Sequence, residues 1–225
     1  MLSIIVPIYN EEKLIEKSLP LIFDLELSKE VIVVNDGSID SSLKILIELK
    51  NKYDFKIINL ENNQGKGSAI RQALNYVKGD YFTICDADME YDPRELARLY
   101  KHIIELREEK VVVYGSRFLK NKPFSFHYFV NTFLTLVFNL LFRVRLTDME
   151  TCFKLIPARA INKINLTAKR FEIEPQITAQ LIKNGYRIKE LPISYNRRNY
   201  EEGKKIKPRD GIIAVWTIIK EKIGK

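Results

Sequence analysis

Apolar side chains fill almost every position from Leu2 to Ile8, the pattern of a strand covered on both faces. Asn10-Glu11-Glu12 then opens a helix expected to run toward Leu25, with Pro20 kinking or splitting it. Val31 to Val34 predicts a second strand that stops at Asn35-Asp36-Gly37-Ser38. Asp40 is placed to cap the next helix, whose Leu43, Leu46, Ile47 and Leu49 form one apolar face. Phe55 to Leu60 predicts a third strand, and the polar turn from Asn62 to Gly67 leads into a helix over Ile70 to Val77. Tyr81 to Cys85, a helix from Pro93 to about Glu108 and a strand over Val111 to Tyr114 continue the alternation. Strands alternating with helices predict an α/β fold, a mostly parallel central sheet flanked by helices.

Past Ser116 the pattern changes. Ser125 to Phe142 contains no Asp, Glu, Lys or Arg, yet Ser125, Tyr128, Thr132, Thr135 and Asn139 recur at helical spacing. They leave a broad stripe of Phe126, Phe129, Val130, Phe133, Val137, Leu140 and Leu141, the pattern of an amphipathic helix over 125–142 with a narrow polar edge. Lys120 and Lys122 precede it and Arg143 and Arg145 follow, which suits an anionic membrane surface; a core helix accounts for the stripe equally well. Helices around Ala158 to Ile164 and Pro175 to Asn184, an extended stretch from Tyr186 to Tyr195, a basic loop over 196–209 and a final helix from Asp210 to Ile223 complete the chain. The final helix, apolar at Ile212, Ile213, Val215, Trp216, Ile218 and Ile219, is a second candidate for membrane contact.

A length of 225 residues suits one domain, divided into a first half, 1–116, and a second half, 117–225. The formal charge of +8 points to an anionic partner without choosing among nucleotide phosphates, nucleic acid and an acidic membrane. No nucleic-acid recognition motif accompanies the charge. Cys85 and Cys152 lie in apolar stretches without metal-ligand spacing and read as reduced core residues of a cytosolic protein, and no export signal is evident.

Chemistry concentrates where the Tyr81 strand ends. Asp86, Asp88 and Glu90 fall at alternate positions, so an extended backbone persisting past Cys85 would aim all three carboxylates to one side. A hard divalent cation such as Mg²⁺, which accepts one or two carboxylates and completes its shell with water and substrate phosphates, suits that cluster. Asp92-Pro93-Arg94-Glu95 follows as a helix start, so the acidic tip lies between a strand and a helix, where ligand sites of open α/β sheets lie.

Seven stretches then stand in one order: Val6 to Glu11, Val34 to Ser38, Gly65-Lys66-Gly67, Asp86-Ala87-Asp88, Gly115-Ser116-Arg117, Asp148 to Lys154, and Gly203 to Ile206. From Leu2 to about Gly211 the chain resembles the inverting family 2 glycosyltransferases of the GT-A fold, and within them the dolichol-phosphate mannosyltransferase-like enzymes. The resemblance implies that Pro7, Tyr9, Glu11 and Asp36 hold the base and ribose of a nucleotide sugar, making 1–116 the nucleotide-binding half and 117–225 the acceptor half. Asp86 and Ala87 would sit by the nucleotide. Mg²⁺ or Mn²⁺ would be held on the donor diphosphate by the Asp86, Asp88 and Glu90 group, chiefly by Asp88 and Glu90. Arg117, Arg198 and Lys205 would bind the donor diphosphate or the acceptor phosphate, with Asp148 orienting Arg117 or the acceptor. Two departures stand out: Asn35 occupies a position often held by aspartate, and Glu90 one where many relatives have glutamine.

The resemblance further implies transfer of a hexose, as from GDP-mannose or UDP-glucose, to a polyprenyl phosphate with inversion. Many relatives append spanning helices after this domain whereas this sequence stops at Lys225, so the expectation is a peripheral enzyme on the cytoplasmic membrane face, or one anchored by a partner subunit. A phosphate acceptor, anionic at neutral pH, needs no general base. Transfer to a saccharide hydroxyl would need one from Asp148 or Glu150, and a nucleotide-sugar-binding module without turnover is the remaining alternative.

Overall fold

The computed structural model describes residues 1–120, 122–123, 125–198 and 208–224. Among the described residues seven strands form one sheet in the order β3-β2-β1-β4-β6-β5-β7. β1 (Leu2–Ile8) lies in the middle, parallel to β2 (Lys29–Asp36) on one side and β4 (Tyr81–Ile84) on the other, and β3 (Lys56–Leu60) extends the sheet beyond β2. β5 (Val111–Ser116) is parallel to β7 (Arg187–Pro192). The two groups are joined by β6 (Lys154–Pro157), antiparallel to both β4 and β5, a four-residue strand that the apolar pattern did not announce. One reversed strand has a consequence for the site: β6 presents its amino end at the sheet edge where β1, β2, β4 and β5 present their carboxyl ends.

Helices α1 (Ile15–Phe23), α2 (Ser42–Leu49) and α3 (Lys66–Leu74) bury their apolar stripes in the main core beside β1 and β2, and α4 (Glu95–Leu106) buries its own against β5 and β6. α1 begins five residues after Asn10, later than the sequence suggests. Asn10 takes a positive φ of 48°, and the following amides are spent on the loop after β2. Glu11 N donates to Ser42 Oγ at 2.9 Å and Glu12 N to Asp40 Oδ2 at 3.2 Å, while Ile39 N donates to Asn10 Oδ1 at 2.9 Å. These reciprocal bonds hold Glu11 at the sheet edge rather than in a helical turn. Pro20 sits inside α1 without splitting it, and Asp40 Oδ1 accepts from Ser42 N at 2.9 Å at the start of α2.

α5 (Phe126–Phe142), a 3-10 turn (Ala158–Lys163), α6 (Ile173–Lys183) and α7 (Pro208–Ile223) complete the second half. α5 turns much of its polar edge inward. Asn139 is satisfied by the backbone of Leu146, donating to its carbonyl at 2.8 Å and accepting from its amide at 2.9 Å, and Thr135 Oγ1 accepts from Met149 N. Leu134 and Phe138 pack with Ala214 and Ile218 of α7 in a second, smaller core. The outer faces of both helices remain apolar and exposed: Phe129, Phe133, Leu136 and Leu140 on α5, and Ile212, Trp216 and Ile223 on α7. Among the described residues no helix is long and apolar enough to cross a membrane.

Candidate active site

A cavity of about 460 Å³ opens along this common strand edge, within the size range of small-molecule sites. Sheet order sets the sequence of groups along it. Asp36 ends β2, Pro7, Tyr9 and Glu11 close β1, Asp86, Ala87 and Asp88 follow β4, Glu150 and Cys152 precede β6, and Arg117 follows β5. Pro7 lies past Ile5, the last residue of β1 paired to β4, so its missing N–H costs no ladder bond there.

Asp36 is buried, with both oxygens engaged. Asn63 Nδ2 and Gly65 N donate to Oδ2 at 3.0 and 2.8 Å, and Gln64 N donates to Oδ1 at 2.8 Å. The carboxylate thereby folds the turn that carries Asn63, Gly65 and Lys66 to the cavity wall. Burial pushes its pKa up, and the Gln64 and Gly65 amides pull it back.

The acidic turn is not a continuation of β4. The strand stops at Ile84 and Met89 has a φ of 61°, so a turn, not the period of two, places the carboxylates. Asp86 Oδ2 is paired with Lys66 Nζ at 2.7 Å, and Lys66 also reaches Glu174 Oε1 at 3.2 Å. Glu174 in turn holds the fully buried Lys154 Nζ at 2.5 Å. Burial alone would discharge Lys66, but Asp86 and Glu174 keep it charged, with its pKa well above the ordinary lysine value. Asp88 Oδ2 lies 3.3 Å from Arg198 Nη2, whose guanidinium also reaches Glu11 at 3.3 Å. Glu90 accepts from the Tyr195 hydroxyl at 2.8 Å and from Arg198 N at 3.1 Å. Burial, then repulsion from Asp86 and Glu90, raises the Asp88 pKa to about 7, against the pull of Arg198.

No three His, Cys, Asp or Glu groups converge on a point among the described residues. The chemistry still fits one divalent ion: Lys66 pairs with Asp86, while Asp88, though it has Arg198 beside it, is repelled by both Asp86 and Glu90, a crowding that a cation would relieve. Two protein carboxylates plus substrate phosphates are a sufficient shell for Mg²⁺.

Arg117 and Asp148 form a bidentate pair: Nε donates to Oδ2 and Nη2 to Oδ1, each at 2.7 Å, and Arg117 N adds a third bond at 3.0 Å. The guanidinium also lies against the rings of Phe118, Tyr195 and Tyr91 at 4.9, 5.2 and 5.8 Å. Arg117 reaches the cavity wall, whereas Asp148 is fully buried behind it. With its two oxygens committed to Arg117, Asp148 is poorly placed for a base. Glu150 is the carboxyl of that segment that lines the cavity; burial raises its pKa to about 7, with Lys154 and Arg117 lowering it and Glu174 and Asp148 raising it. Burial also pushes the Cys152 thiol well up, so that it lines the cavity as a neutral group. Lys205 lies outside the described residues.

Several cavity residues went unassigned in the sequence. Lys66 carried a signal, a lysine between two glycines at a helix start. Asn131, Arg170 and Glu174 carried none, because their meaning comes from α5, α6 and the segment just before α6, all far from the acidic turn in sequence.

A strand-edge cavity with an acidic turn after β4 and cations on both sides, on this sheet, is the architecture of GT-A glycosyltransferases. The fold superposes on the glucosyl-3-phosphoglycerate synthase from Mycobacterium tuberculosis, in complex with Mn²⁺, uridine diphosphate and phosphoglyceric acid, with a TM-score of 0.75 over 99% of this chain and 78% of that one, at 17% identity. The chain belongs to glycosyltransferase family 2: residues 3–163 match the family described as Glycosyl transferase family 2. It is 28% identical over 233 residues to the dolichyl-phosphate beta-glucosyltransferase of Mus musculus, covering 92% of this chain and 70% of the mouse protein. It is 40% identical over 105 residues to the undecaprenyl-phosphate 4-deoxy-4-formamido-L-arabinose transferase of Photorhabdus laumondii, covering 44% of this chain and 32% of that protein. The chain spans 54% and 22% of the length of two further curated relatives, a glycosyltransferase of Synechocystis and a poly-beta-1,6-N-acetyl-D-glucosamine synthase of Staphylococcus epidermidis.

Proposed function

We propose that this glycosyltransferase moves a hexose from a nucleoside-diphosphate sugar to a polyprenyl phosphate at an anionic membrane surface, with inversion at the anomeric carbon. The observation that carries the reading is the juxtaposition of the Asp88 cluster, crowded with negative charge, with a cavity walled by α5, whose opposite face is apolar and exposed. The similarity to enzymes named for dolichyl-phosphate and undecaprenyl-phosphate supports the lipid acceptor. The glucosyl relatives and the uridine diphosphate in the superposed synthase favour UDP-glucose over GDP-mannose as donor.

In this reading Pro7, Tyr9, Glu11, Asp36 and Asn63 take the nucleoside, with Asp86 and Ala87 beneath the diphosphate. Asp88 and Glu90 hold Mg²⁺ or Mn²⁺, which supplies charge neutralisation on the departing diphosphate. Lys66 and Arg198 stand where negative charge develops on the leaving phosphate, fixed by their carboxylate partners and so preorganised for it. Arg117, held by Asp148 and three aromatic rings, faces the acceptor phosphate. Such a phosphate monoester, with a second pKa near 6, attacks the anomeric carbon as an anion, and no side chain has to take a proton. The lipid tail leaves the cavity along α5, and Lys120, Lys122, Arg143 and Arg145 flank that helix facing anionic headgroups.

A second reading, transfer to a saccharide hydroxyl, is favoured by one observation: Glu150, with its pKa near 7, has the proton affinity a general base needs. The test is transfer of labelled hexose from UDP-glucose and GDP-mannose to a short polyprenyl phosphate and to an oligosaccharide, each with Mg²⁺, Mn²⁺ or chelator. Lipid-linked product formed only with metal supports the proposal; product on the oligosaccharide alone selects the second reading.

A further inference from the structure

The β5 and β6 end of the cavity holds two polar atoms that the described protein leaves unsatisfied. Asn131, in the middle of α5, is only 6% exposed, and its Nδ2 has no hydrogen-bond partner. Glu150, four residues before β6, has its Oε1 shielded from solvent and likewise without a partner. Both line the cavity beside Arg117. Buried polar atoms left unpaired cost free energy, and such groups in a site are accounted for when a ligand completes them.

Charge selects the ligand class. Arg117 is paired with Asp148, and Lys66 and Lys154 with Asp86 and Glu174, so among the described residues this end offers an acidic side chain, Glu150, outside any ion pair and no cation outside one. A phosphate placed against it would meet like charge. A neutral polyol suits both atoms, because its hydroxyls donate to the carboxylate and accept from the amide. Position agrees. With the nucleoside toward Asp36 on β2 and the diphosphate at the turn after β4, the next group of an extended donor reaches the β6 and β5 side.

We infer that Asn131 and Glu150 form the subsite for the hexose of the donor, gripping hydroxyls of the sugar that is transferred; this rests on the nucleotide-sugar reading above. The subsite makes α5 a two-sided element, with sugar recognition inside and an apolar face outside.

The test is calorimetric titration of UDP and UDP-glucose, and of GDP and GDP-mannose, with Mg²⁺ present, into wild type, Asn131→Leu and Glu150→Leu. Both variants are expected to melt at or above the wild-type temperature, because each removes a buried polar atom that lacks a partner. Each should bind the diphosphate within about twofold of wild type and the nucleotide sugar roughly tenfold more weakly. Variants that keep full affinity for the nucleotide sugar, or weaken diphosphate and sugar alike, overturn the inference while leaving the donor reading in place. Wild-type protein that binds neither member of either pair overturns the donor reading and this inference with it.

Discussion

Arg117 and Asp148 show how little a single residue reveals outside its partnership. From the sequence, Asp148 is expected either to orient Arg117 or the acceptor, or to serve as a base toward a hydroxyl. In the fold one is the other's counter-ion, with Asp148 fully buried and Arg117 meeting the cavity at its wall. Removing one partner of a buried ion pair costs about 3–5 kcal/mol, so Asp148→Asn should lower the melting temperature by roughly 6–20 °C for a chain of this size. It should abolish transfer to any acceptor, as followed by calorimetric melting and product formation, and it therefore does not diagnose a base. Glu150 behaves in the opposite way. Its folded-state pKa, about 7, lies above the unfolded carboxylate value, so the native state binds the extra proton between these limits. Stability is then lost as pH rises from about 4.5 to 7, by on the order of 3 kcal/mol. Glu150→Gln should flatten that slope and gain stability at pH 8, measurable by urea unfolding at pH 5 and 8; an unchanged slope would refute the assignment. Glu150 was visible in the sequence as a carboxyl of the right segment, but the shielding of its Oε1 and its place in the cavity beside Asn131 were not, because both depend on how distant segments pack.

At the scale of elements, apolar periodicity was sufficient wherever an element packs by one face, and it failed where tertiary bonds override it. Strands β1 to β5 and helices α2 to α5 lie within a few residues of their expected places. The start of α1 does not, because the amides after Asn10 go to Ser42 and Asp40. β6 escaped notice because four residues, one of them a lysine neutralised by Glu174, make no strand pattern. The glycine turn before α3 was legible as a turn but not as the lever that seats Lys66. Gly65 has a φ of 93°, and a Cβ there would lie 2.4 Å from the carbonyl oxygen of Lys169. Gly65→Ala should cost about 1–3 kcal/mol in strain and loosen the turn held by Asp36. Its expected signature is a lower melting temperature together with weaker nucleoside diphosphate binding, while a variant melting and binding as wild type would show that the turn has slack.

The whole molecule pairs a catalytic edge with an apolar outer plate built from two helices. Phe133 is 58% exposed, Leu140 71% and Trp216 66%, an arrangement costly in water and suited to an interface. An apolar helix with basic flanks is legible in the residues alone; only packing decides which side faces out, and the inward turn of Thr135 and Asn139 decides it here. Replacing Phe133, Leu140 and Trp216 together by serine should reduce partitioning onto anionic vesicles by roughly tenfold or more. Binding of wild type should also weaken as salt is raised, since the flanking charges are screened. Cosedimentation reads both effects, and equal binding of the triple variant would exclude this plate as the contact. The central claim is that carboxylates at the β4 edge serve a metal-assisted departure of a sugar diphosphate. It is tested most directly by the rate of hexose transfer from nucleotide sugar to polyprenyl phosphate for wild type and Asp88→Asn, each with Mg²⁺ and with chelator. Expected are rapid transfer by wild type with metal, none by wild type in chelator, and a rate for Asp88→Asn with metal lower by roughly a hundredfold or more; undiminished transfer by Asp88→Asn, or by wild type in chelator, would contradict that claim.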